Sequence, residues 1–146
     1  MDIQGFTAGP FRTNTYIAAE GNRAFIVDPG MDSMSQVLAH DYDYEAIVLT
    51  HGHIDHTREA GELAQELDIP VYIHPADKFM LDSGEGVSAQ AQELFQASRM
   101  VPIADLRELH GGEELELIGH TFTLQHAPGH SPVSYTHLTL PTKRIV

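Results

Sequence analysis

The first third of the chain has the apolar pattern of β-strands. Two short apolar runs, residues 15–18 and 24–27, are separated by the turn-forming sequence Glu-Gly-Asn at 20–22, which predicts a β-hairpin. Residues 28–30, Asp-Pro-Gly, predict a turn after the second strand, since proline presets φ and glycine accepts a positive φ.

Helices and strands alternate over the next segment. A short helix is predicted over 33–40, where Met34, Val37 and Leu38 have helical spacing. The continuous apolar run at 46–50 predicts a strand buried on both faces.

An amphipathic helix is predicted beyond this strand. Its apolar residues recur at helical spacing: Ala60, Leu63, Ala64 and Leu67. Asp55 or Thr57 is its N-cap candidate, and Pro70 ends it. Residues 71–73 form the next strand, so the strand–helix–strand order predicts a right-handed crossover and a parallel strand pair.

The rest of the chain predicts two more helical segments and a second hairpin. Residues 75–81 suit a helix of one or two turns, and residues 88–98 suit another helix. Residues 115–118 and 121–125 read as strands joined by a turn at Gly119 and His120.

Composition narrows the possible functions. Eight Lys and Arg against 21 Asp and Glu give a net charge of −13 over 146 residues, which excludes nucleic-acid or membrane-surface binding through a general positive field. The chain has no cysteine, so thiolate metal sites and thiol nucleophiles are excluded. With no long apolar run or leader pattern, we expect a soluble cytoplasmic protein. Ten histidines direct attention to metal or proton chemistry.

A dense set of metal donors follows the strand at 46–50. The segment at 50–56 reads Thr-His-Gly-His-Ile-Asp-His. If the extended geometry continues past Thr50, His51 and His53 project to the same side and share one ion, while Asp55 and His56 aim at a second point. Nitrogen and oxygen donors suit zinc, with iron or manganese as alternatives. Two ions about 3.5–4 Å apart would support metal-assisted hydrolysis. The alternative interpretation is that the segment is a solvated, histidine-rich loop that binds no metal.

A second pair of histidines flanks a rigid turn near the end of the last predicted strand. His126 and His130 enclose Ala-Pro-Gly, and one of them would complete a three-histidine set for the first ion. The Pro-Gly turn favours His130. The remaining histidines suit surface or turn positions, and Glu59, Glu62 and Glu66 suit the solvated side of a helix.

These motifs resemble the metallo-β-lactamase fold. Its three landmarks occur here in order: Asp-Pro-Gly at 28–30, the loop at 50–56, and His-Ala-Pro-Gly-His-Ser at 126–131. Within the fold, the chain most resembles small glyoxalase II-like hydrolases of the hydroxyacylglutathione hydrolase type, over about residues 6–131. The resemblance implies a mixed α/β (α+β) domain, an αββα sandwich of two mixed sheets, present here as its N-terminal half to two thirds.

The resemblance also implies roles for individual residues. The first divalent ion would be bound by His51, His53 and His130, and the second by Asp55 and His56. Asp28 would steady the site, and His126 would not be a ligand. Asp55 would also act in catalysis by orienting a bridging hydroxide that attacks a thioester carbonyl.

The sequence departs from the family pattern in two ways. It has no equivalent of the family's bridging aspartate or final histidine. From about Pro132, it resembles the in-frame translation of a transposon adapter used in sequencing libraries; the other explanation is a natural C-terminal strand, since Tyr135, Thr136 and Leu138 favour β structure. We therefore expect an incomplete domain at 1–131 and a non-native tail at 132–146.

The expected function is metal-dependent hydrolysis of a small-molecule thioester, with no nucleic-acid or membrane partner. One alternative is an iron-dependent persulfide dioxygenase that shares the same loop. Another is a non-catalytic fragment, because the missing residues predict weak metal binding and little turnover in the chain as given. Lactonase and β-lactamase activities fit less well.

Overall fold

The computed structural model describes residues 1–50, 52–81, 88–110, 112–125, 137–140 and 143–144. The strands are β1 (Asp2–Ala8), β2 (Thr13–Glu20), β3 (Arg23–Val27), β4 (Asp43–Val48), β5 (Val71–Ile73), β6 (Leu106–Glu108), β7 (Glu114–Leu117), β8 (His120–Gln125), β9 (His137–Leu140) and β10 (Lys143–Arg144). The α-helices are α1 (Met34–Leu38), α2 (Ile54–Thr57), α3 (Ala60–Leu67) and α4 (Ala89–Leu94). Two 3-10 helices span Pro75–Leu81 and Ala97–Arg99.

The larger sheet contains six strands in sequence order, β1-β2-β3-β4-β5-β6. Strands β1 to β3 form an antiparallel meander, and β3 to β6 run parallel. Ile47 pairs with Val71 across β4 and β5, which confirms the predicted parallel pair. The carboxyl ends of β3, β4 and β5 therefore meet at one edge of the sheet, where α/β folds commonly bind ligands.

The second sheet has four strands, in the order β10-β9-β8-β7, and packs against one face of the first. Phe25 of β3 and Phe122 of β8 meet edge to face between the sheets, with ring centroids 5.1 Å apart. Val27 and Val48 extend this inter-sheet core from the larger sheet, and Leu117 extends it from the smaller one. Alternate residues of β7 are buried, as expected for a strand with one face in a core.

Helices cover the opposite face of the larger sheet. Val37 of α1 and the apolar side of α3, including Leu63, pack with Ile26, Ile47 and Ile73 in a second core. The described residues thus form helix, sheet and sheet layers, in agreement with the predicted mixed α/β class.

A carboxylate in β4 ties the two sheets together at their rim. Glu45 accepts a hydrogen bond from Arg23 Nε and, at 2.9 Å, another from the backbone N–H of Ile118 in the β7–β8 turn. Ile118 has a positive φ of 51°, so this contact also supports a backbone conformation that a β-branched residue rarely adopts.

Most predicted elements are confirmed, with local corrections. The N-cap prediction for the helix at 60–67 was wrong: residues 54–57 form a separate short helix, and the N-cap of α3 is Glu59. The predicted helix at 88–98 divides into α4 and a 3-10 turn, and the second hairpin turns at Ile118 and Gly119. Edge strands β1 and β6 were not predicted.

Strands β9 and β10 lie within the region expected to be non-native, and β9 pairs with β8. The predicted boundary between residues 131 and 132 lies outside the described residues and stays a prediction. Within the described part of the chain, no helix is both long and apolar enough to cross a membrane.

We expect Phe122→Ala to lower the free energy of unfolding by about 3–5 kcal/mol, because it leaves a cavity between the sheets. Leu38→Ala is the matched control: Leu38 is 41% exposed, so its truncation should cost less than about 1 kcal/mol. Urea unfolding followed by circular dichroism measures both values. Equal losses in the two variants would contradict the inter-sheet core.

Candidate metal centre

The candidate site lies where β4 gives way to α2. Leu49 continues the sheet beyond β4, with its N–H donating to Tyr72 O at 2.9 Å. His53 has an extended backbone and is the N-cap residue of α2, with the His56 N–H donating to its carbonyl at 2.9 Å. The short helix places Asp55 and His56 at the carboxyl edge of the sheet.

Asp28 is the buried organiser of this edge. It follows β3, and its Oδ1 accepts the Thr50 N–H at 2.8 Å, while Oδ2 accepts the Thr50 hydroxyl at 2.5 Å. Its backbone is held as well, since its N–H donates to Val48 O at 3.1 Å and its carbonyl accepts the Thr15 hydroxyl at 2.8 Å. Asp28 has a φ of +53°, a left-handed conformation that aspartate tolerates better than most residues.

The same carboxylate orients His56. Asp28 Oδ2 lies 3.0 Å from His56 Nδ1, and His56 Nε2 lies 3.3 Å from Asp55 Oδ2. Thr13 contributes a longer hydroxyl contact of 3.5 Å to the same Asp55 oxygen. A carboxylate–histidine contact of this kind fixes the ring of a metal ligand and raises its basicity. Nε2 of His56 and Oδ2 of Asp55 are therefore held side by side.

Two carboxylates on one imidazole change its protonation. Burial alone would lower the pKa of His56, but hydrogen bonds to Asp28 and then Asp55 outweigh burial and raise the pKa to about 10. The side chain is 23% exposed, so these interactions are only partly screened by solvent.

The Asp-Pro-Gly turn packs directly on the backbone of α2. A Cβ atom at Gly30 would lie 2.3 Å from the carbonyl oxygen of Asp55, a distance that excludes any side chain unless the backbone moves. The N–H of Glu59 donates to Pro29 O at 3.1 Å, which fixes the other end of α2 to the same turn.

Glu59 also corrects a prediction about the helix surface. Its carboxylate accepts the N–H groups of Asp32 and Met34, each at 2.8 Å, and so ties the α2–α3 junction to the start of α1. Glu62 pairs with the buried Arg58 at 2.9 Å. Of the three glutamates expected on a solvated side, only Glu66 is exposed.

A further buried acid contacts the loop from the other side. Asp77 is fully buried, and its Oδ2 accepts the N–H of Gly52 at 3.0 Å. No local sequence pattern predicts this contact, because the two residues are 25 positions apart and meet through the pairing of β4 with β5.

The structure brings Asp55 and His56 together and places the half-buried His53 one turn before them. His51 and His130, and with them His126, lie outside the described residues, so their predicted roles stay predictions. Across the described ranges, no three His, Asp or Glu side chains form a group able to hold a metal ion. The donor chemistry nevertheless fits one, since an oriented imidazole and a carboxylate lie side by side and partly buried at this edge of the sheet.

The sequence profile of the Metallo-beta-lactamase superfamily matches residues 8–145. An uncharacterised protein of Mycobacterium tuberculosis (strain H37Rv) is 36% identical over 140 residues, which cover 90% of this chain and 62% of that protein. Hydroxyacylglutathione hydrolase GloC of Haemophilus influenzae is 29% identical over 137 residues, covering 90% of this chain and 63% of that protein. The chain therefore spans a little over three fifths of the length of these relatives.

Solved structures share the fold. BLEG-1 B3 metallo-beta-lactamase superposes with a TM-score of 0.79 and 27% identity over 95% of this chain and 67% of that one. TTHA1623 in a di-iron-bound form superposes with a TM-score of 0.73 and 33% identity, covering 94% of this chain and 67% of that one. A chain of this fold thus binds a pair of iron ions.

We expect Gly30→Ala to displace α2 and cost about 1–3 kcal/mol in unfolding free energy, because the new methyl group meets the Asp55 carbonyl. Gly21→Ala is the control: it also adds a methyl group, at a φ of +60°, but meets nothing within 4 Å. Urea unfolding measures the stability of both variants, and the amide NMR signals of α2 should shift in Gly30→Ala only. Unshifted α2 signals in Gly30→Ala would contradict the close packing of the turn on α2.

In the metal-free protein, we expect His56 to stay protonated through neutral pH and to titrate near pH 10, as followed by NMR of its ring protons. Because its pKa is raised from 6.5 to about 10, its stabilisation is complete below pH 6.5 and is lost as pH rises through 10. Asp28→Asn removes the charged hydrogen-bond partner that raises the pKa of His56 most, so His56 should titrate at a lower pH in this variant. An unchanged titration in that variant would show that Asp28 does not stabilise the protonated form of His56.

Proposed function

Because the chain belongs to the metallo-beta-lactamase superfamily, we propose that it carries the metal-binding loop of a hydrolase that cleaves thioesters of the hydroxyacylglutathione type. The observation that carries this proposal is the contact series from Asp28 through the His56 ring to Asp55. Such a series is what a ligand histidine requires from its surroundings. The similarity to GloC supports the thioester class.

We assign two divalent ions to the site. His51, His53 and His130 would bind the first, and Asp55 and His56 the second, on the pattern that the family resemblance implies. Zinc suits these nitrogen and oxygen donors, and iron or manganese does as well. When bound, the ions would supply Lewis acidity and lower the pKa of water.

The chain's own residues supply position and charge. Asp28 fixes Thr50 at the start of the loop and holds the His56 ring in one orientation. Asp55, steadied by the Thr13 hydroxyl, presents its carboxylate beside His56 and would orient the attacking water. The electrophile of a thioester is the uncharged carbonyl carbon next to sulfur, so the attack of water on that carbon would depend on this orientation.

Thiol release tests the proposal directly. The 146-residue chain is loaded with zinc, iron or manganese and mixed with a hydroxyacylglutathione thioester, and the free thiol is measured with a chromogenic reagent. The protein contains no cysteine, so the reagent detects only product. We expect thiol release that depends on added metal and falls by about 100-fold or more in Asp55→Asn.

Other outcomes would redirect or contradict the assignment. Oxygen consumption with a persulfide, in place of thiol release, favours the iron dioxygenase. Metal binding without turnover favours a non-catalytic fragment, whereas a kcat above about 1 per second excludes the fragment. Activity that is equal with and without metal would contradict the proposal.

Metal counting separates the two ion sites. We expect His56→Ala to lose one bound ion of the pair and keep the other, because only the second ion is assigned to His56. His120→Ala is the control, since His120 lies on the β7–β8 hairpin and contacts Glu20 at 3.7 Å. Elemental analysis after desalting measures the stoichiometry. Loss of both ions in His56→Ala, or of none, would contradict the assignment of a separate second ion to this residue.

A further inference from the structure

Two carboxylates hold the loop after β4 from opposite sides. From β3, Asp28 accepts the backbone N–H of Thr50, and from the segment after β5, Asp77 accepts the backbone N–H of Gly52. Thr50 and Gly52 flank position 51 in the sequence, so the two bonds bracket the first histidine of the motif. The first bond belongs to a known landmark of the fold, and the second has no counterpart among the sequence motifs.

The parallel pairing of β4 with β5 brings Asp77 to this position. Val48 pairs with Tyr72, so the segments that follow the two strands leave the sheet at the same edge. The 3-10 helix Pro75–Leu81 begins immediately after β5, and the Asp77 N–H donates to His74 O at 3.1 Å. This turn aims the carboxylate inward, where its exposed fraction is 0%.

Burial makes the carboxylate informative. An ionised carboxyl group is costly to bury unless hydrogen bonds or nearby positive charge compensate it. The N–H of Gly52 supplies one such hydrogen bond at 3.0 Å, so the position of the buried side chain and the backbone of the loop depend on each other. Backbone and carboxylate partners behind the ligands commonly alter metal affinity by about 10–100-fold.

We propose that Asp77 is a positioning residue of the metal loop, which fixes the backbone at Gly52 so that the adjoining His53 meets its ion. This inference rests on the proposed metal site. Asp77 acts through the loop backbone and contacts no reacting atom, so its loss should alter metal affinity and ligand geometry more than it alters the general stability of the fold.

The test uses the full chain and three variants. Asp77→Leu removes the acceptor at similar size, and Asp77→Asn keeps an oxygen that can accept the Gly52 N–H. Ile73→Val is the matched control, because Ile73 is fully buried in the adjacent strand β5 and its truncation loosens the core without touching the loop. Zinc affinity is measured by chelator competition, ligand geometry by the visible spectrum of the cobalt-loaded protein, and stability by the urea midpoint.

We expect Asp77→Leu to bind zinc about 10–100-fold more weakly and to change the cobalt spectrum, with Asp77→Asn recovering most of both. Ile73→Val should lower the urea midpoint and leave affinity and spectrum as in the parent. In the metal-free protein, hydrogen exchange at the Gly52 amide should accelerate in Asp77→Leu only.

The contrary outcomes are distinct. Parent-like zinc affinity and an unchanged cobalt spectrum in Asp77→Leu would overturn the positioning role while leaving the metal site intact. Equal losses in Asp77→Asn and Asp77→Leu would overturn action through the Gly52 hydrogen bond. A parent chain that binds no zinc, iron or manganese would contradict the proposed function itself, and the role of Asp77 in metal binding with it.

Discussion

The carboxylate of Asp28 is the contact on which the site depends. It joins the ends of two parallel strands through Thr50 and fixes the ring of His56 with the same group. Its own backbone is held by β2 and β4, in a left-handed conformation that the surrounding bonds maintain. Through these bonds, the larger sheet fixes the positions of Thr50, which follows β4, and of His56, which lies in α2.

Packing around this contact leaves little freedom. The turn after β3 approaches the backbone of α2 so closely that only glycine fits at position 30, and Glu59 binds the far end of α2 to the start of α1. Arg58 is buried at the end of α2, and its Nε donates to Phe95 O at 2.6 Å. This bond holds the end of α4 against α2. The segment from the end of β4 to the start of α3 is thus held by groups that are distant in the chain, which is the preorganisation that a metal site requires.

Local patterns predicted the parts of the fold that local chemistry determines. Apolar runs and turn residues predicted β2 to β5 and the second hairpin, and the histidine-rich loop predicted a candidate site that stays a prediction. Edge strands β1 and β6 could not be predicted, because they lack a continuous apolar run and are only partly buried. Contacts between residues that are distant in the sequence could not be predicted either. The spacing of Glu59 suggested a surface residue, and no motif included Asp77. Each of these acids has its partner on a segment that only the tertiary fold brings close.

The two carboxylates beside the His56 ring affect the energetics of metal binding at this residue. In the metal-free protein, the raised pKa of His56 favours the imidazolium form of the ring, with Asp28 beside Nδ1 and Asp55 beside Nε2. A metal ion bound to this ring would therefore displace a proton. On the proposed assignment, binding of the second metal ion to His56 would release this proton. The observed heat of metal binding would then include the ionisation enthalpy of the buffer that receives the proton, and the apparent metal affinity would weaken as the pH falls.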